Sequence, residues 1–203
     1  MSDKSIALLY HSELFKKSNV GTKKQRKDLL DKIHYLKKNN IGEADGSNEG
    51  CFRSNYEYGE ELDWLRKEIT EFTKEICGYY TSRDKHFETL LSQQTQKCDL
   101  SIWTNVNEPG SINDLHTHKS ETFACTYNLQ TAGTGYLTFK NPANVLNDCH
   151  YKSPFIRAHR VEPQDGDLLI WPAWVPHLVE RNESNKQRIN IAINIKLVGV
   201  DNA

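Results

Sequence analysis

Three histidines and one arginine carry the chemistry this sequence could do. His116 and His118 stand one residue apart in Gly110-Ser-Ile-Asn-Asp-Leu-His116-Thr-His118-Lys-Ser-Glu121. In an extended segment residues i and i+2 point to the same side, so the pair could offer two imidazoles to one ion. A second stretch, Gly166-Asp-Leu-Leu-Ile-Trp-Pro-Ala-Trp-Val-Pro-His177, adds a third imidazole after a turn-like Pro-Ala-Trp-Val-Pro segment. Imidazole suits iron, zinc, copper or nickel, and ligand softness alone does not choose among them. The competing reading of His116 and His118 is a pair of exposed loop histidines. Glu121 is the nearest carboxylate and is held in reserve, either as a ligand or as a partner orienting an imidazole; Asp114 is a further candidate.

Arg188 opens a run in which Ile189, Ile191, Ile193, Ile195 and Leu197 alternate with Arg188, Asn190, Ala192, Asn194 and Lys196. Period two divides a strand into two faces. The polar face is either a solvated edge or the inside of a barrel, with the isoleucines packed outward beneath helices. The barrel interior is the expectation. A guanidinium there would pair with a carboxylate through two parallel hydrogen bonds. Small Ala192 would leave room for the partner.

These residues need elements to position them. Leu29, Leu30, Ile33 and Leu36 recur at roughly helical spacing between Lys23 and Lys38, and Asn39-Asn40-Ile41-Gly42 stops that helix. Residues 42 to 56, rich in Gly, Asn and Ser, are expected to be a loop. Leu62, Leu65, Ile69, Phe72 and Ile76 make the apolar stripe of a second helix from about Glu60 to Tyr79. From about residue 97 the pattern changes to strands. One spans Asp99 to Asn107 and is ended by a turn at Glu108-Pro109-Gly110; another spans Glu121 to Gln130. In the latter Phe123, Cys125, Tyr127 and Leu129 alternate with Thr122, Ala124, Thr126 and Asn128. Gly133-Thr-Gly135 turns into a strand from Tyr136 to Phe139, and residues 141 to 158 read as a long irregular loop. Short strands follow at His159 to Glu162 and Gly166 to Trp171. Trp171 and Trp174 are expected to fill core, and His150 and His159 to lie at the surface.

Composition narrows the function classes. Lys plus Arg is 26 and Asp plus Glu is 27, for a net charge of -1. That argues against a nucleic-acid binder held by bulk charge. The basic run Lys23 to Lys27 reads as the solvated face of the first helix. No apolar run approaches the roughly 20 residues of a membrane span. The apolar segment near Met1 is too short for a signal peptide. Cys51, Cys77, Cys98, Cys125 and Cys149 are widely spaced with no CxxC, which speaks against a disulfide framework and for a reducing cytoplasm. A single domain is expected, with residues 1–96 as helical support and 97–198 as a β core. The amphipathic N-terminal helix would suit a homodimer.

The motifs together resemble the double-stranded β-helix of the 2-oxoglutarate- and iron(II)-dependent oxygenases, in particular a bacterial and phage group similar to prolyl hydroxylases. The residues that carry the resemblance are Trp103-Thr-Asn105-Val106, Gly110, His116-Thr-His118, Ser120, Tyr127, Gly166, Trp171-Pro-Ala-Trp174, His177, Val179 and Arg188-Ile-Asn-Ile-Ala-Ile-Asn194. They span about residues 97 to 197, and Asn48-Glu-Gly-Cys-Phe-Arg-Ser54 resembles the N-terminal half of the same group. The resemblance implies an α+β, mainly β fold: a jelly-roll or cupin-like barrel buttressed by N-terminal helices. It implies iron(II) held by His116, His118 and His177, and 2-oxoglutarate as cosubstrate anchored by Arg188, with Asn105, Tyr127 and Asn190 as further contacts. The implied reaction hydroxylates a peptide side chain, prolyl being common, or a small molecule. It releases succinate and carbon dioxide. The chain departs from the usual His-x-Asp or His-x-Glu pattern by carrying His118.

Two other functions compete. A cupin-like metal protein without 2-oxoglutarate would match Gly110 to Glu121 and Gly166 to His177 but has no need of Arg188. A non-catalytic barrel module would bind no stoichiometric metal.

Overall fold

The computed structural model describes residues 12–39, 41–43, 48–54, 59–83, 95–141 and 158–200. The first helix, α1 (Lys23–Lys38), has the expected bounds. Its start is fixed by a reciprocal cap. The Gln25 backbone N–H donates to Thr22 Oγ1, and the Thr22 backbone N–H donates to Gln25 Oε1. The second helix, α2 (Asp63–Thr81), is preceded by a single 3-10 turn, Glu60–Leu62. No helix among the described residues is long and apolar enough to cross a membrane.

Among the described residues there are also ten strands: β1 (Phe15–Lys17), β2 (Gly42–Glu43), β3 (Asn48–Ser54), β4 (Thr95–His116), β5 (Phe123–Gln130), β6 (Leu137–Lys140), β7 (Ala158–Val161), β8 (Leu168–Pro172), β9 (His177–Val179) and β10 (Arg188–Val200). They form one sheet in the order β1-β8-β5-β10-β4-β9-β6-β7, with β3 on β4 and β2 on β3. Every pairing is antiparallel. This is the mainly β, double-stranded β-helix architecture that the strand pattern and the motifs anticipate.

The alternation in β10 sorts residues as expected. Ile189, Ile191, Ile193 and Ile195 are fully buried in one core with Leu29, Ile33 and Leu36 of α1 and Leu65, Ile69 and Ile76 of α2. Each such side chain contributes about 1.5–3 kcal/mol by leaving water. On β5, Phe123, Cys125, Tyr127 and Leu129 join the same core, while Ala124 belongs to a second cluster with Phe139, Leu169 and Trp171.

Several expectations need correction. Residues 42 to 56 are not simply a loop, because β2 and β3 lie there and β3 pairs with β4. The first part of the chain is therefore more than helical support. Pro109-Gly110 does not end a strand. It sits in an irregularity where the β3–β4 register shifts, and Gly110 takes a φ of 89°, which a side chain would resist. Trp174 fills no core and is 52% exposed. The apolar stripe of α1 is covered by this chain's own sheet. Among the described residues no disulfide links Cys51, Cys77, Cys98 or Cys125. Residues 142–157 of the expected long loop, with His150 and Cys149, lie outside the described residues.

Candidate active site

His116 ends β4 and His177 begins β9, and the two are direct cross-strand partners. His118 lies two residues past the end of β4. Its backbone N–H donates to the Ala173 carbonyl (3.0 Å), and Ala173 in turn donates to Thr122 (3.1 Å). The stretch before His177 thus ties down the stretch that carries His118. The ligand-capable atoms of all three imidazoles lie within 4.8 Å of one another, an arrangement that could hold a metal ion.

The ring nitrogens are already sorted. His116 Nδ1 lies 2.6 Å from the Asp114 carbonyl and His177 Nδ1 lies 2.9 Å from the Val175 carbonyl. A carbonyl only accepts, so each Nδ1 carries the proton and each Nε2 keeps its lone pair. His118 Nε2 stands 3.2 Å from His177 Nε2. Two facing lone pairs at that distance repel unless a cation or proton lies between them. Burial pushes all three imidazoles toward the neutral form. His116 falls below the usual histidine range; His118 falls to about 4, with His116 adding to the effect; His177 falls to about 3. Neutral imidazole is the ligand form.

The histidines line a cavity of about 300 Å³. Arg188 reaches the same cavity from β10 and is 1% exposed. One guanidinium nitrogen, Nη1, donates to the Gly135 carbonyl at 3.0 Å, while Nε has no partner. Gly135 itself is packed against the backbone of Glu180 and Arg181, where only a residue without a side chain fits. With a φ of 104°, its missing Cβ would lie 3.0 Å from the Glu180 carbonyl. No ion pair to Arg188 exists among the described residues. Burial lowers its pKa to about 10. A buried guanidinium with an orphaned N–H is a socket for an anion.

Asn105 and Asn190 also line the cavity, and Asn190 Nδ2 donates to Thr126 Oγ1 at 2.9 Å. Tyr127 does not. The period-two alternation of β5 turns it to the helix side, where its hydroxyl donates to the Val20 carbonyl (2.6 Å) and its ring meets Trp64 edge-on. Its expected contact with a cosubstrate is corrected accordingly. Glu121 and Asp114 are outside the cluster of ligand atoms, and Asp114 serves through its backbone carbonyl. Trp171 both packs in a core cluster and lines the cavity, its ring edge-on to His177 at 4.9 Å. Arg53 and Trp103 line the cavity without having been singled out for it. The signal for Arg53 lay in the Asn48 to Ser54 stretch, which carried the resemblance but was read as loop.

Residues 101–194 match the family model described as "Putative 2OG-Fe(II) oxygenase". Over that segment the chain is similar to the 2-oxoglutarate- and iron(II)-dependent oxygenases. It is an enzyme that uses iron(II) and 2-oxoglutarate, and the arrangement of Arg188 with the three imidazoles fits both. No curated protein is matched by the sequence. Among solved structures the fold of this oxygenase is similar to a Pseudomonas putida prolyl-4-hydroxylase, with TM-score 0.63, 13% identity and coverage of 92% of this chain and 93% of the other. It is also similar to a Trichoplax adhaerens prolyl hydroxylase in complex with a hypoxia inducible factor peptide fragment (TM-score 0.64, 10% identity, coverage 90% and 83%). HygX from Streptomyces hygroscopicus, with nickel, 2-oxoglutarate and hygromycin B bound, is a third (TM-score 0.55, 11% identity, coverage 91% and 83%).

Proposed function

We propose that His116, His118 and His177 hold the iron(II), that Arg188 holds the distal carboxylate of 2-oxoglutarate, and that the enzyme hydroxylates a peptide side chain, such as prolyl, or a small molecule. The observation that carries the reading is the buried Arg188 with its unpartnered Nε, facing the same cavity as the three clustered imidazoles. The similar folds cover both substrate classes: one neighbour is complexed with a peptide fragment and another with hygromycin B.

Iron(II) and 2-oxoglutarate, when bound, supply the oxidation: one atom of dioxygen enters a substrate C–H bond, and the other enters the succinate formed with carbon dioxide. The chain's own residues prepare that reaction. The Asp114 and Val175 carbonyls hold the Nδ1 protons of His116 and His177 and aim Nε2 inward. Three neutral imidazoles offset none of a divalent charge, so a dianionic cosubstrate binds to a site that lacks negative charge. Arg188 orients the far end of that cosubstrate. Asn190, fixed on Thr126, gives the wall between a defined polar edge. Leu137, Val179 and Trp171 make the remaining wall apolar and limit water.

The test is anaerobic titration of the metal-free protein with iron(II) and then 2-oxoglutarate, following the visible charge-transfer band. The band is expected with the natural protein and absent with Arg188→Ala. A band that survives Arg188→Ala, or tight iron binding with no band at all, overturns the assignment.

A further inference from the structure

We infer that Asn194 is the positioning residue of His118: its side-chain carbonyl accepts the Nδ1 proton of that imidazole and keeps the Nε2 lone pair turned to the metal. The inference rests on the reading above, in which His118 is a ligand.

The three imidazoles are not held alike. His116 and His177 stand on strands, and each donates its Nδ1–H to the backbone carbonyl two residues before it. His118 stands beyond the end of β4 and has no backbone carbonyl in that role. Its Nε2 faces His177 Nε2 at 3.2 Å, and the two rings lie parallel with centroids 5.0 Å apart. A neutral imidazole has one proton for two nitrogens. Where Nε2 offers its lone pair to a metal, the proton sits on Nδ1 and needs an acceptor of its own. Among the described residues Asn194 is the side chain that supplies one.

The fold brings Asn194 there. It lies two residues past Ala192 on β10, and so on the face that lines the cavity. Its cross-strand neighbours, Ser101 and Ala124, are both small. The loop that carries His118 is stitched to β10 just beyond it. The Thr122 backbone N–H donates to the Ile195 carbonyl (2.9 Å), and the Leu197 backbone N–H donates to Thr122 Oγ1 (3.1 Å). Trp103, the cross-strand partner of Ala192, borders the His118 ring at 6.3 Å between centroids. Asn194 Oδ1 is buried and accepts from no other group. Burial takes His118 down to about 4, and the Asn194 amide works against that by hydrogen-bonding the ring in its protonated form.

The need for such a residue follows from the exchange at position 118. A carboxylate ligand carries no proton that has to be placed, whereas an imidazole there binds metal in only one of its two neutral tautomers. Backbone carbonyls fix the tautomer of the two strand histidines. An amide side chain from β10 fixes that of the histidine off the strand.

The experiment titrates the metal-free protein with cobalt(II), read by its visible d–d bands, and follows the paramagnetically shifted imidazole N–H resonances of the loaded protein. The natural protein is compared with Asn194→Leu, Asn194→Asp, His118→Ala and the double variant His118→Ala/Asn194→Leu, each checked for native circular dichroism. Asn194→Leu is expected to bind cobalt(II) about 10- to 100-fold more weakly, the usual effect of removing a group that orients a ligand, and to lose the His118 N–H resonance to exchange with water. Asn194→Asp, an acceptor of the same shape, should bind at least as tightly as the natural protein and keep that resonance. In the His118→Ala background, Asn194→Leu should have no further effect, because the group it orients is gone. Natural affinity and an unchanged N–H resonance in Asn194→Leu, or an equal loss of affinity with and without His118, overturn the inference and leave the three-imidazole assignment standing. Natural affinity in His118→Ala overturns His118 as a ligand first, and the inference with it.

Discussion

The two faces of β10 are built on opposite terms. On one face Ile189, Ile191, Ile193 and Ile195 are fully buried under α1 and α2 and have nothing left to satisfy. On the other, Arg188, Asn190 and Ala192 line the cavity, and Arg188 Nε has no partner. Burying such groups costs free energy that the first face must offset. One strand therefore separates what holds the fold from what only a ligand can complete. The chemistry-bearing face is the one the folded protein would be more stable without.

That contrast predicts opposite outcomes for neighbouring substitutions. Arg188→Met keeps volume and removes the charge. Its 2-oxoglutarate affinity should fall by about 10²- to 10⁴-fold, the loss of a buried charge pair worth about 3–5 kcal/mol. The ligand-free protein should unfold no more easily than the natural one, and should gain about 1–4 kcal/mol if the guanidinium is as costly as its environment indicates. Anaerobic titration and thermal unfolding read the two effects separately. Ile193→Ala, on the other face, should lose about 2–5 kcal/mol of stability. For a chain of this size that is a fall in Tm of roughly 4–20 °C. Its 2-oxoglutarate affinity should be unchanged below the transition. If Arg188→Met destabilises as Ile193→Ala does, Arg188 is a structural residue and the contrast collapses.

The ligand itself sharpens the comparison. Saturating the iron-loaded protein with 2-oxoglutarate at a hundredfold over its Kd should add about 2.7 kcal/mol. That raises Tm by roughly 5–10 °C. Arg188→Met should show almost none of this rise in the same scan, because the group that the ligand satisfies is gone.

The same alternation explains what could be read before the structure. Five apolar residues at strict period two made β10 and its two faces legible, and β5 likewise. The three histidines were legible because few other arrangements put imidazoles at that spacing. β3 was not, since its sequence has weak strand preference and becomes a strand only where β4 offers it an edge. Arg53 was lost with it. Pro109-Gly110 carries turn chemistry but uses it inside a long strand, where the register shift absorbs it. Tyr127 is the instructive case. The resemblance assigned it to the cosubstrate, although the β5 alternation had already grouped it with Phe123, Cys125 and Leu129 on the core side.

Tyr127→Phe is accordingly the smallest test, and a discriminating one. The Tyr127 hydroxyl is buried and donates to the Val20 carbonyl at 2.6 Å, and burial pushes its pKa up to about 12. Removing it takes one hydrogen bond from that carbonyl, which still accepts from Arg26 Nη1 at 3.1 Å. The acceptor is not left bare, so the cost should be about 0.5–1 kcal/mol, the low end for a buried hydrogen bond. That is a fall in Tm of roughly 1–4 °C. The charge-transfer titration with iron(II) and 2-oxoglutarate should match that of the natural protein. A weakened titration at unchanged Tm would put the hydroxyl on the cavity side, against the alternation that places Phe123 and Leu129 in the core.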